Sequence, residues 1–383
     1  MRQRASGNSR PLHILFLDSW LRDRSLGSGS AVAIAGLADG LESLGHQVET
    51  LRPERSLSSL DLTRLSYNIS LSRRLAGREA DLVVGFDFDG GLLPPGTIAS
   101  PYAVALKGVM ADEARFETGR DRRRFLGLSR IEARNARSAS TVICTSEYSA
   151  GQAIRFYGLR EDRVRVVPEG IHAARWSGLA RRGFALRSVK EGGPVVLSVA
   201  RQYRRKNTGS LLRAFARLRE GHPRSELRIV GEGPELPALR DLAADLGIRE
   251  TVEFVGSLTG LDALQAEFAA ADIFCLPSLQ EGFGIVFLEA MAAGLPIVAA
   301  RAGAAPEVAP ENEVSLLVQP SDDDDLLAAL RRLAGSPELR RRLGSCGAAR
   351  WSAFDWSAVA ADFLSAVLPG RDSADRPGST AGG

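Results

Sequence analysis

The sequence has few cysteines, and they are widely separated. Cys144, Cys275 and Cys346 are the only three in 383 residues, and their spacing fits neither a zinc site nor a disulfide framework. Cys144 and Cys275 fall inside apolar runs, which predicts buried thiols in a reducing compartment. A disulfide-stabilised secreted scaffold is therefore disfavoured, and we expect a cytoplasmic protein.

Long apolar runs and a strong net charge are also missing. No apolar stretch approaches the roughly 20 residues that a membrane-spanning helix needs, and the basic start of the chain is not followed by a signal-peptide core. The 49 basic and 46 acidic residues leave a formal charge of only +3. This near balance does not favour nucleic-acid binding, so no nucleic-acid partner is expected.

Both halves of the chain alternate strand-like and helix-like segments. Apolar runs rich in β-branched residues occur at 11–19, 80–90, 102–108, 140–146, 194–200, 226–234 and 296–300. Helical patterns separate most of these runs, which predicts mostly parallel, doubly wound sheets. The strand carboxyl ends of such sheets carry the ligand, so two domains that face each other would share a central cleft.

The composition changes at 173–192, a segment rich in Arg, Gly and Ala that we interpret as a linker. The predicted organisation is, in order: a disordered tail at 1–10, an N-terminal domain at 11–180, a C-terminal domain at 181–353, a helix at 354–369 that packs back across both domains, and a disordered tail at 370–383. The two tails are assigned from their small and polar residues. The expected fold class is α/β, with two Rossmann-like domains.

Glu289 is isolated in the apolar helical run 285–293. A carboxylate that is buried without a partner costs several kcal/mol, and nothing nearby in the sequence supplies one. Seven residues separate it from Glu281, which opens a Gly-x-Gly turn before the same helix. A bound ligand is therefore a candidate partner for Glu289; the alternative is a structural ion pair.

The turn after Glu281 has features of an anion site. Free N–H groups at a helix N-terminus attract anions, and glycine lets a phosphate approach the backbone closely. The backbone groups in question belong to Gly282, Phe283, Gly284 and Ile285. A second basic element, Arg201 and Lys206, follows the strand at 194–200, and an arginine fork with a lysine charge can neutralise a diphosphate.

Taken together, these segments resemble a known family. EGFGIVFLEAMAAGLPIVA (281–299) is similar to the E-x7-E signature of retaining, GT-B-fold glycosyltransferases of the glycosyltransferase 4 group. VLSVARQYRRKN (196–207), RIVGEGPE (228–235), VEFVGSL (252–258) and RVVPEGIHAARW (165–176) resemble further blocks of that family, in order and at comparable spacing. The N-terminal half resembles it only weakly, as expected for a half that binds a variable acceptor.

The resemblance implies roles for individual residues. Glu289 would bind the ribose of a nucleotide, Glu281 the hydroxyls of the donor sugar, and Arg201 with Lys206 the departing diphosphate. Further donor contacts are implied for residues in the matching blocks and loops: Gly27, Gly29, Glu169, Gly231, Ser257 and Leu258.

One position departs from the family. Many relatives carry a histidine at the end of the strand that corresponds to 102–108, where this chain has Lys107 and Gly108. We assign the histidine's role near the reacting sugar to Lys107. This substitution leaves the acceptor and the detail of the mechanism open.

Three charged segments have simpler explanations than a site. Asp87 and Asp89 resemble a D-x-D metal motif but precede every donor-binding block, so we interpret them as strand-end carboxylates and expect no metal site. In the run 321–325, Ser321 is predicted to cap a helix whose first turn is acidic. The basic helix 120–137 suggests a membrane surface, but its apolar stripe of Phe125, Leu128 and Ile131 favours packing into the core.

The function expected from the sequence is a retaining, metal-independent glycosyltransferase that needs no cofactor. Its donor would be a nucleoside-diphosphate sugar, with UDP-sugars favoured, and its acceptor an unidentified hydroxyl. Two alternatives remain: a hydrolase or epimerase of nucleotide sugars with the same fold, and a catalytically inactive protein that binds nucleotide sugars.

Overall fold

The computed structural model describes residues 10–20, 29–189 and 192–369. Most of the predicted N-terminal tail, Gly27 and the predicted tail at 370–383 lie outside these residues. Among the helices of the described part, none combines the length and apolar character that a membrane-spanning helix requires.

The N-terminal domain is a parallel six-stranded sheet with helices on both faces. Its strands are β1 His13–Leu17, β2 Gln47–Leu51, β3 Leu82–Phe86, β4 Tyr102–Leu106, β5 Thr141–Cys144 and β6 Val164–Val166. Its helices are α1 Gly29–Ser43, α2 Leu60–Leu75, α3 Met110–Glu113, α4 Gly119–Ser138, α5 Glu147–Tyr157 and α6 Ala173–Trp176. The strand order is β2-β1-β3-β4-β5-β6, and all pairings are parallel.

The C-terminal domain repeats this plan with a different order. Its strands are β7 Val195–Val199, β8 Glu226–Val230, β9 Val252–Gly256, β10 Ile273–Leu276, β11 Ile297–Ala300 and β12 Ser315–Val318, arranged β12-β11-β10-β7-β8-β9. Its helices are α7 Leu179–Val189, α8 Thr208–Gly221, α9 Leu236–Asp245, α10 Leu261–Ala270, α11 Ile285–Ala292, α12 Ala305–Val308, α13 Asp323–Gly335 and α14 Pro337–Arg350. A last helix, α15 Trp356–Val367, follows.

The central strands read as continuous apolar runs because helices cover both faces of each sheet. All residues of β3, β4, β10 and β11 are buried. Cys144 is the last residue of β5 and Cys275 lies within β10. Both are buried free thiols, as predicted. The expected α/β architecture of two facing Rossmann-like domains is confirmed.

Strand order fixes where a ligand can enter each sheet. Ligands of open α/β sheets bind at the carboxyl edge, where the chain changes direction across the sheet. That point lies between β1 and β3 in the N-terminal domain and between β7 and β10 in the C-terminal domain. The residues that follow these four strands therefore form the walls of the expected cleft.

The predicted linker at 173–192 is wrong for most of its length. Residues 173–176 and 179–189 are helical, and α7 packs against α10 of the C-terminal domain. The Arg187 guanidinium donates to the carbonyls of Ala271 and Ala293, both at 3.0 Å. The composition of the segment suggested a spacer, but Arg187 and the buried Leu179 anchor it to the domain.

The predicted cap of α13 is also wrong, by one residue. Asp322 is the N-cap, and its side chain accepts from the N–H groups of Asp324 and Asp325. Ser321 instead adopts a left-handed conformation with φ of 61°. The acidic first turn still complements the helix dipole, but a carboxylate takes the capping place.

Helix α15 returns the chain to the N-terminal domain. Trp356 packs so closely against α1 that a Cβ added at Gly36 would lie 2.1 Å from its indole. A Cβ at Gly170 would lie 2.6 Å from the same ring system. Val359, Ala360 and Phe363 complete a core that they share with β1, β3 and α1.

Candidate active site

The turn before α11 exposes a row of unbonded amides. Gly284 adopts a left-handed conformation with φ of 87° directly before the first helical residue, Ile285. Within the described residues, the N–H groups of Gly282, Phe283, Gly284 and Ile285 have no hydrogen-bond acceptor. Amides of this kind at a helix N-terminus form an anion site.

Glu289 lies one turn further along α11 and has no partner either. It is half-buried, and the part of the chain that the structure describes provides its carboxylate with neither a hydrogen bond nor an ion pair. Burial raises the pKa of Glu289 from 4.5 to about 7. A carboxylate in this condition is stabilised by a ligand that donates hydrogen bonds to it.

Glu281, in contrast, is already bonded. Its carboxylate accepts from the Lys206 ammonium at 2.5 Å and from the Ser278 hydroxyl at 2.8 Å, and it is 7% exposed. Its backbone lies against Gly303, which has φ of 58° and where a Cβ would come within 2.5 Å of the Glu281 nitrogen. Lys206 and Glu281, far apart in sequence, are thus brought together in the cleft.

The loop after β7 carries Arg201 and lies against the loop after β8. A Cβ at Gly231 would lie 2.1 Å from the Ala200 carbonyl, and one at Gly233 would lie 2.5 Å from the carbonyl of Gln202. Only glycine permits this approach at Gly231, which has φ of 113°. The Arg201 guanidinium lies over the Tyr203 ring, 5.6 Å from its centroid.

The remaining predicted donor residues of the C-terminal domain lie along the same edge. Ser257 and Leu258 follow β9 directly and are half-buried, and the Gly231 amide donates to the neighbouring Gly256 carbonyl at 2.7 Å. Phe283 is 6% exposed, and its ring packs against Phe354. Gly29 is the first residue of α1, whereas Gly27 lies outside the described residues.

On the N-terminal side, Lys107 and Glu169 pair with each other. The Lys107 ammonium lies 3.0 Å from one oxygen of the Glu169 carboxylate and 3.2 Å from the other. Both side chains are less than a tenth exposed. In this arrangement the charge of Lys107 is neutralised by the protein itself.

The D-x-D segment forms part of a buried charge cluster. Asp87 accepts from the Trp20 indole and the Lys107 amide, and Asp89 accepts from Ser19 and Asn68. The Arg64 guanidinium lies between the two carboxylates, at 3.8 and 3.6 Å. Among the described residues, no group of three or more His, Cys, Asp or Glu is placed to hold a metal ion.

Asp18 borders this cluster at the end of β1. Burial and the nearby Asp89 carboxylate raise the pKa of Asp18 to about 6. Arg52 lies 3.5 Å from it. The carboxyl edge of the N-terminal domain therefore satisfies much of its own charge.

Arg205 has a role that the sequence did not indicate. It lies in a run of basic residues, yet its side chain is 12% exposed and pairs with Glu113 and Glu117 of the N-terminal domain, both at 3.3 Å. The short 3-10 turn Arg204–Lys206 directs it there. Burial raises the pKa of Glu113, although Arg205 and Lys206 oppose the shift.

A second interdomain contact also escaped sequence reasoning. The hydroxyls of Thr145, Ser146 and Ser149 donate to the Gly282 carbonyl at 3.0, 2.7 and 2.9 Å. The Glu307 carboxylate accepts from the amides of Glu147 and Tyr148 at 2.8 Å each, at the start of α5. The polar sequence TSEYS directly after β5 was the available signal.

The basic helix α4 is packed as the simpler interpretation predicted. Phe125 and Leu128 are buried in a cluster with Phe88 and Met110, and Ile131 packs against it. Its apolar stripe thus contributes to the N-terminal domain.

Comparison with known proteins agrees with this architecture. The family described as "Glycosyl transferases group 1" matches residues 185–350, and the "Glycosyl transferase 4-like domain" matches residues 53–170. The solved sucrose-phosphate synthase from Thermosynechococcus elongatus superposes with a TM-score of 0.77 at 21% identity, covering 92% of this chain and 97% of that one.

Two curated relatives extend the match. The MMP alpha-(1->4)-mannosyltransferase of Mycolicibacterium hassiacum is 31% identical over 334 residues, which are 81% of this chain and 79% of the relative. A GDP-mannose-dependent alpha-(1-6)-phosphatidylinositol monomannoside mannosyltransferase of Mycolicibacterium smegmatis is 36% identical over 170 residues, 43% of this chain and 44% of the relative. With its two matched domains and its facing parallel sheets, the chain belongs to the GT-B-fold glycosyltransferases of the glycosyltransferase 4 group.

Proposed function

We propose that this glycosyltransferase is retaining and metal-independent, and that it transfers a sugar from a nucleoside-diphosphate sugar to a hydroxyl acceptor. The observation that carries the proposal is the start of α11. Four unbonded amides and an unpartnered carboxylate lie within about two helical turns of each other. An anion bearing vicinal hydroxyls satisfies both, and a nucleoside diphosphate has both groups.

In this proposal the diphosphate occupies the turn at 282–285. Arg201 and Lys206 follow β7 at the carboxyl edge, on the same side of the sheet as this turn. Their two positive charges stabilise the negative charge that develops on the leaving diphosphate. The ribose hydroxyls donate to Glu289 and so provide the hydrogen-bond partners that the described residues do not.

The Lys206–Glu281 pair gives the donor sugar a binding group. When the diphosphate attracts the Lys206 ammonium, the Glu281 carboxylate is released to accept hydrogen bonds from sugar hydroxyls. Ser278 continues to hold one oxygen of Glu281 at 2.8 Å, so the carboxylate keeps its place. Binding of the donor thus exchanges one internal ion pair for several contacts with the ligand.

The base of the nucleotide is a finer question. UDP was favoured from the sequence, while the relative that is 36% identical over 43% of the chain is named as GDP-mannose-dependent. We place the base at the half-buried edge formed by Ser257 and Leu258. We retain UDP-sugars as the prediction and GDP-mannose as its competitor.

The proposed retaining outcome is supported by the positions of the carboxylates near the donor turn. In the segment 281–289, the two carboxylates are Glu281, which is bonded to Lys206, and Glu289, at which we place the ribose. Neither is placed as a covalent nucleophile by this proposal. Same-face substitution, with the leaving phosphate as the base, is the retaining route that needs no such residue.

The test is a thermal-shift panel with UDP, GDP, ADP, CMP and dTDP on the wild type and on Glu289→Ala. A ligand at about 100 times its Kd adds roughly 2.7 kcal/mol to stability, which shifts Tm by several degrees. One diphosphate should stabilise the wild type and not Glu289→Ala. The panel is run with and without a chelator, and the shift should be the same in both.

Glu338→Ala is the matched control, because Glu338 is an exposed carboxylate near the start of α14. It should respond to nucleotides as the wild type does. If no diphosphate stabilises the wild type, or if Glu289→Ala responds equally, the proposed donor site is wrong. Release of free sugar or of an epimer from the stabilising donor, without an acceptor, would favour the hydrolase or epimerase instead.

A further inference from the structure

One carbonyl of the donor turn is held by the opposite domain. The Gly282 oxygen accepts from three hydroxyls that follow β5, at distances between 2.7 and 3.0 Å. Thr145, Ser146 and Ser149 are each less than 5% exposed. A carbonyl oxygen has two lone pairs, so three donors saturate it and make the contact tolerant of losing any single one.

This contact fixes the orientation of an adjacent amide. The peptide that joins Gly282 to Phe283 is planar, and its carbonyl and N–H point in opposite directions when it is trans; the described chain contains no cis peptide bond. Because the carbonyl faces the N-terminal domain, the Phe283 N–H faces away from it. That N–H is among the unbonded donors before α11.

Two further contacts join the same elements across the cleft. Glu307 binds the first amides of α5, directly after the hydroxyl-bearing turn. Arg205, adjacent to Lys206, binds Glu113 and Glu117. All of these contacts are polar, and all connect the donor edge of one domain to the N-terminal domain. They are made only while the two domains are in contact.

We propose that Thr145, Ser146 and Ser149 are positioning residues for the donor diphosphate. When the domains meet, these hydroxyls fix the Gly282 carbonyl and thereby aim the Phe283 amide at the diphosphate. The inference rests on the proposed function of the 282–285 turn. It makes the N-terminal domain a part of the diphosphate site, although no side chain of that domain needs to touch the diphosphate.

A direct role in binding the acceptor fits these hydroxyls less well. Each of them already donates its proton to the Gly282 carbonyl, and the Ser146 oxygen also accepts from the Ser149 amide as the cap of α5. With their protons engaged and less than 5% of each residue exposed, these hydroxyls have no donor left for a ligand. Their effect on the reaction must pass through the peptide that they hold.

The experiment compares the binding of a nucleoside diphosphate with that of the matching monophosphate by calorimetry. The probes are UDP and UMP, or GDP and GMP if GDP stabilises the wild type. The main variant is Thr145→Val combined with Ser149→Ala, which leaves Ser146 in place as the helix cap. Thr145→Ser keeps the hydroxyl and is the conservative variant.

We expect the double variant to bind the diphosphate about tenfold more weakly and the monophosphate with unchanged affinity, because the oriented amide acts on the diphosphate. Thr145→Ser should bind both as the wild type does. Ser140→Ala is the control, since that hydroxyl bonds the Tyr102 carbonyl within the same domain, away from the cleft. Its affinities should not change.

Three results would overturn the inference. Equal diphosphate affinity in the wild type and the double variant would show that Thr145 and Ser149 do not position the amide, while the donor site itself stands. Equal loss for both nucleotides would show that the hydroxyls only maintain the fold. No diphosphate binding by the wild type would remove the proposed function and the inference together.

Discussion

The two domains differ in how the polar groups at the carboxyl ends of their strands are paired. In the N-terminal domain, the charges after the strands are paired with one another: Lys107 with Glu169, and Arg64 with Asp87 and Asp89. In the C-terminal domain, the described residues leave Glu289 and the amides at 282–285 without partners. Polar groups that a fold leaves unsatisfied cost stability, so they indicate where a ligand binds, whereas internally satisfied groups give no such indication.

This contrast explains why a ligand class can be proposed for the C-terminal edge, whereas the N-terminal edge indicates no acceptor. The C-terminal edge presents the unbonded amides at 282–285 and the Glu289 carboxylate, on which the proposed diphosphate site rests. At the N-terminal edge, the described carboxylates already lie within ion-pair distance of basic side chains. In our proposal the acceptor either displaces such pairs or binds elsewhere on the cleft. The contrast can be tested by substitutions in each of the two domains.

The largest effect is expected for Arg64→Met. Arg64 is 3% exposed and lies between two buried carboxylates and the rings of Trp20 and Phe88. Removing one partner of a buried charged group costs about 3–5 kcal/mol. Urea unfolding should show this loss. Arg78→Met breaks an exposed pair with Glu49 and should change stability by less than about 1 kcal/mol; equal losses would contradict the contrast.

Glu289→Gln should stabilise the protein, in a pH-dependent manner. The folded-state pKa of Glu289 is raised to about 7 from its ordinary 4.5, so its contribution is present at low pH and is lost as the pH rises through about 7. The neutral variant should therefore exceed the wild type by about 2–3 kcal/mol at about pH 8 and match it near pH 4. Equal stabilities at the higher pH would mean that the carboxylate has a partner.

Lys206→Met should weaken diphosphate binding by about 30-fold, or roughly 2 kcal/mol, because a desolvated charge-assisted contact is lost. Calorimetry with the diphosphate that stabilises the wild type measures this. Arg204→Met is the matched control, since Arg204 is exposed on the same short turn. If both variants weaken binding alike, the effect is that of net charge and not of position.

The smallest effect is expected for Gly303→Ala. Alanine at φ of 58° is strained, and its Cβ would lie 2.5 Å from the Glu281 nitrogen. Gly45→Ala has similar strain at φ of 90° but meets nothing within 4 Å. The Gly303 variant should be less stable than the Gly45 variant by about 1 kcal/mol, from overpacking. If the unfolding curves of the two variants coincide, the backbone at Glu281 can shift to accommodate the added methyl group without a loss of stability.

The sequence signals for the candidate donor turn are local. Glu281, the glycine turn and Glu289 lie within one turn–helix segment, where spacing alone sets geometry. The alternation of apolar runs predicted both sheets for the same reason. The family resemblance then added roles that spacing could not supply.

Contacts between distant segments could not be predicted in this way. Thr145 and Gly282 are 137 positions apart, and no periodicity connects them. The contacts of Arg205 could not be predicted because the direction of its side chain depends on a 3-10 turn. A run of four basic or polar residues does not reveal which one turns inward. Ser321 was misplaced because Asp322 competes for the same cap, and the local backbone decides between them.

The return of α15 to the N-terminal domain bears on how the chain is made. Its Trp356 fills the grooves of Gly36 and Gly170, so the first domain takes part of its core from the end of the sequence. Domains generally fold in order during synthesis. Here the core of the first domain stays incomplete until the second domain has been translated. If synthesis stops before residue 356, the released chain lacks α15, and the core of its first domain is never completed.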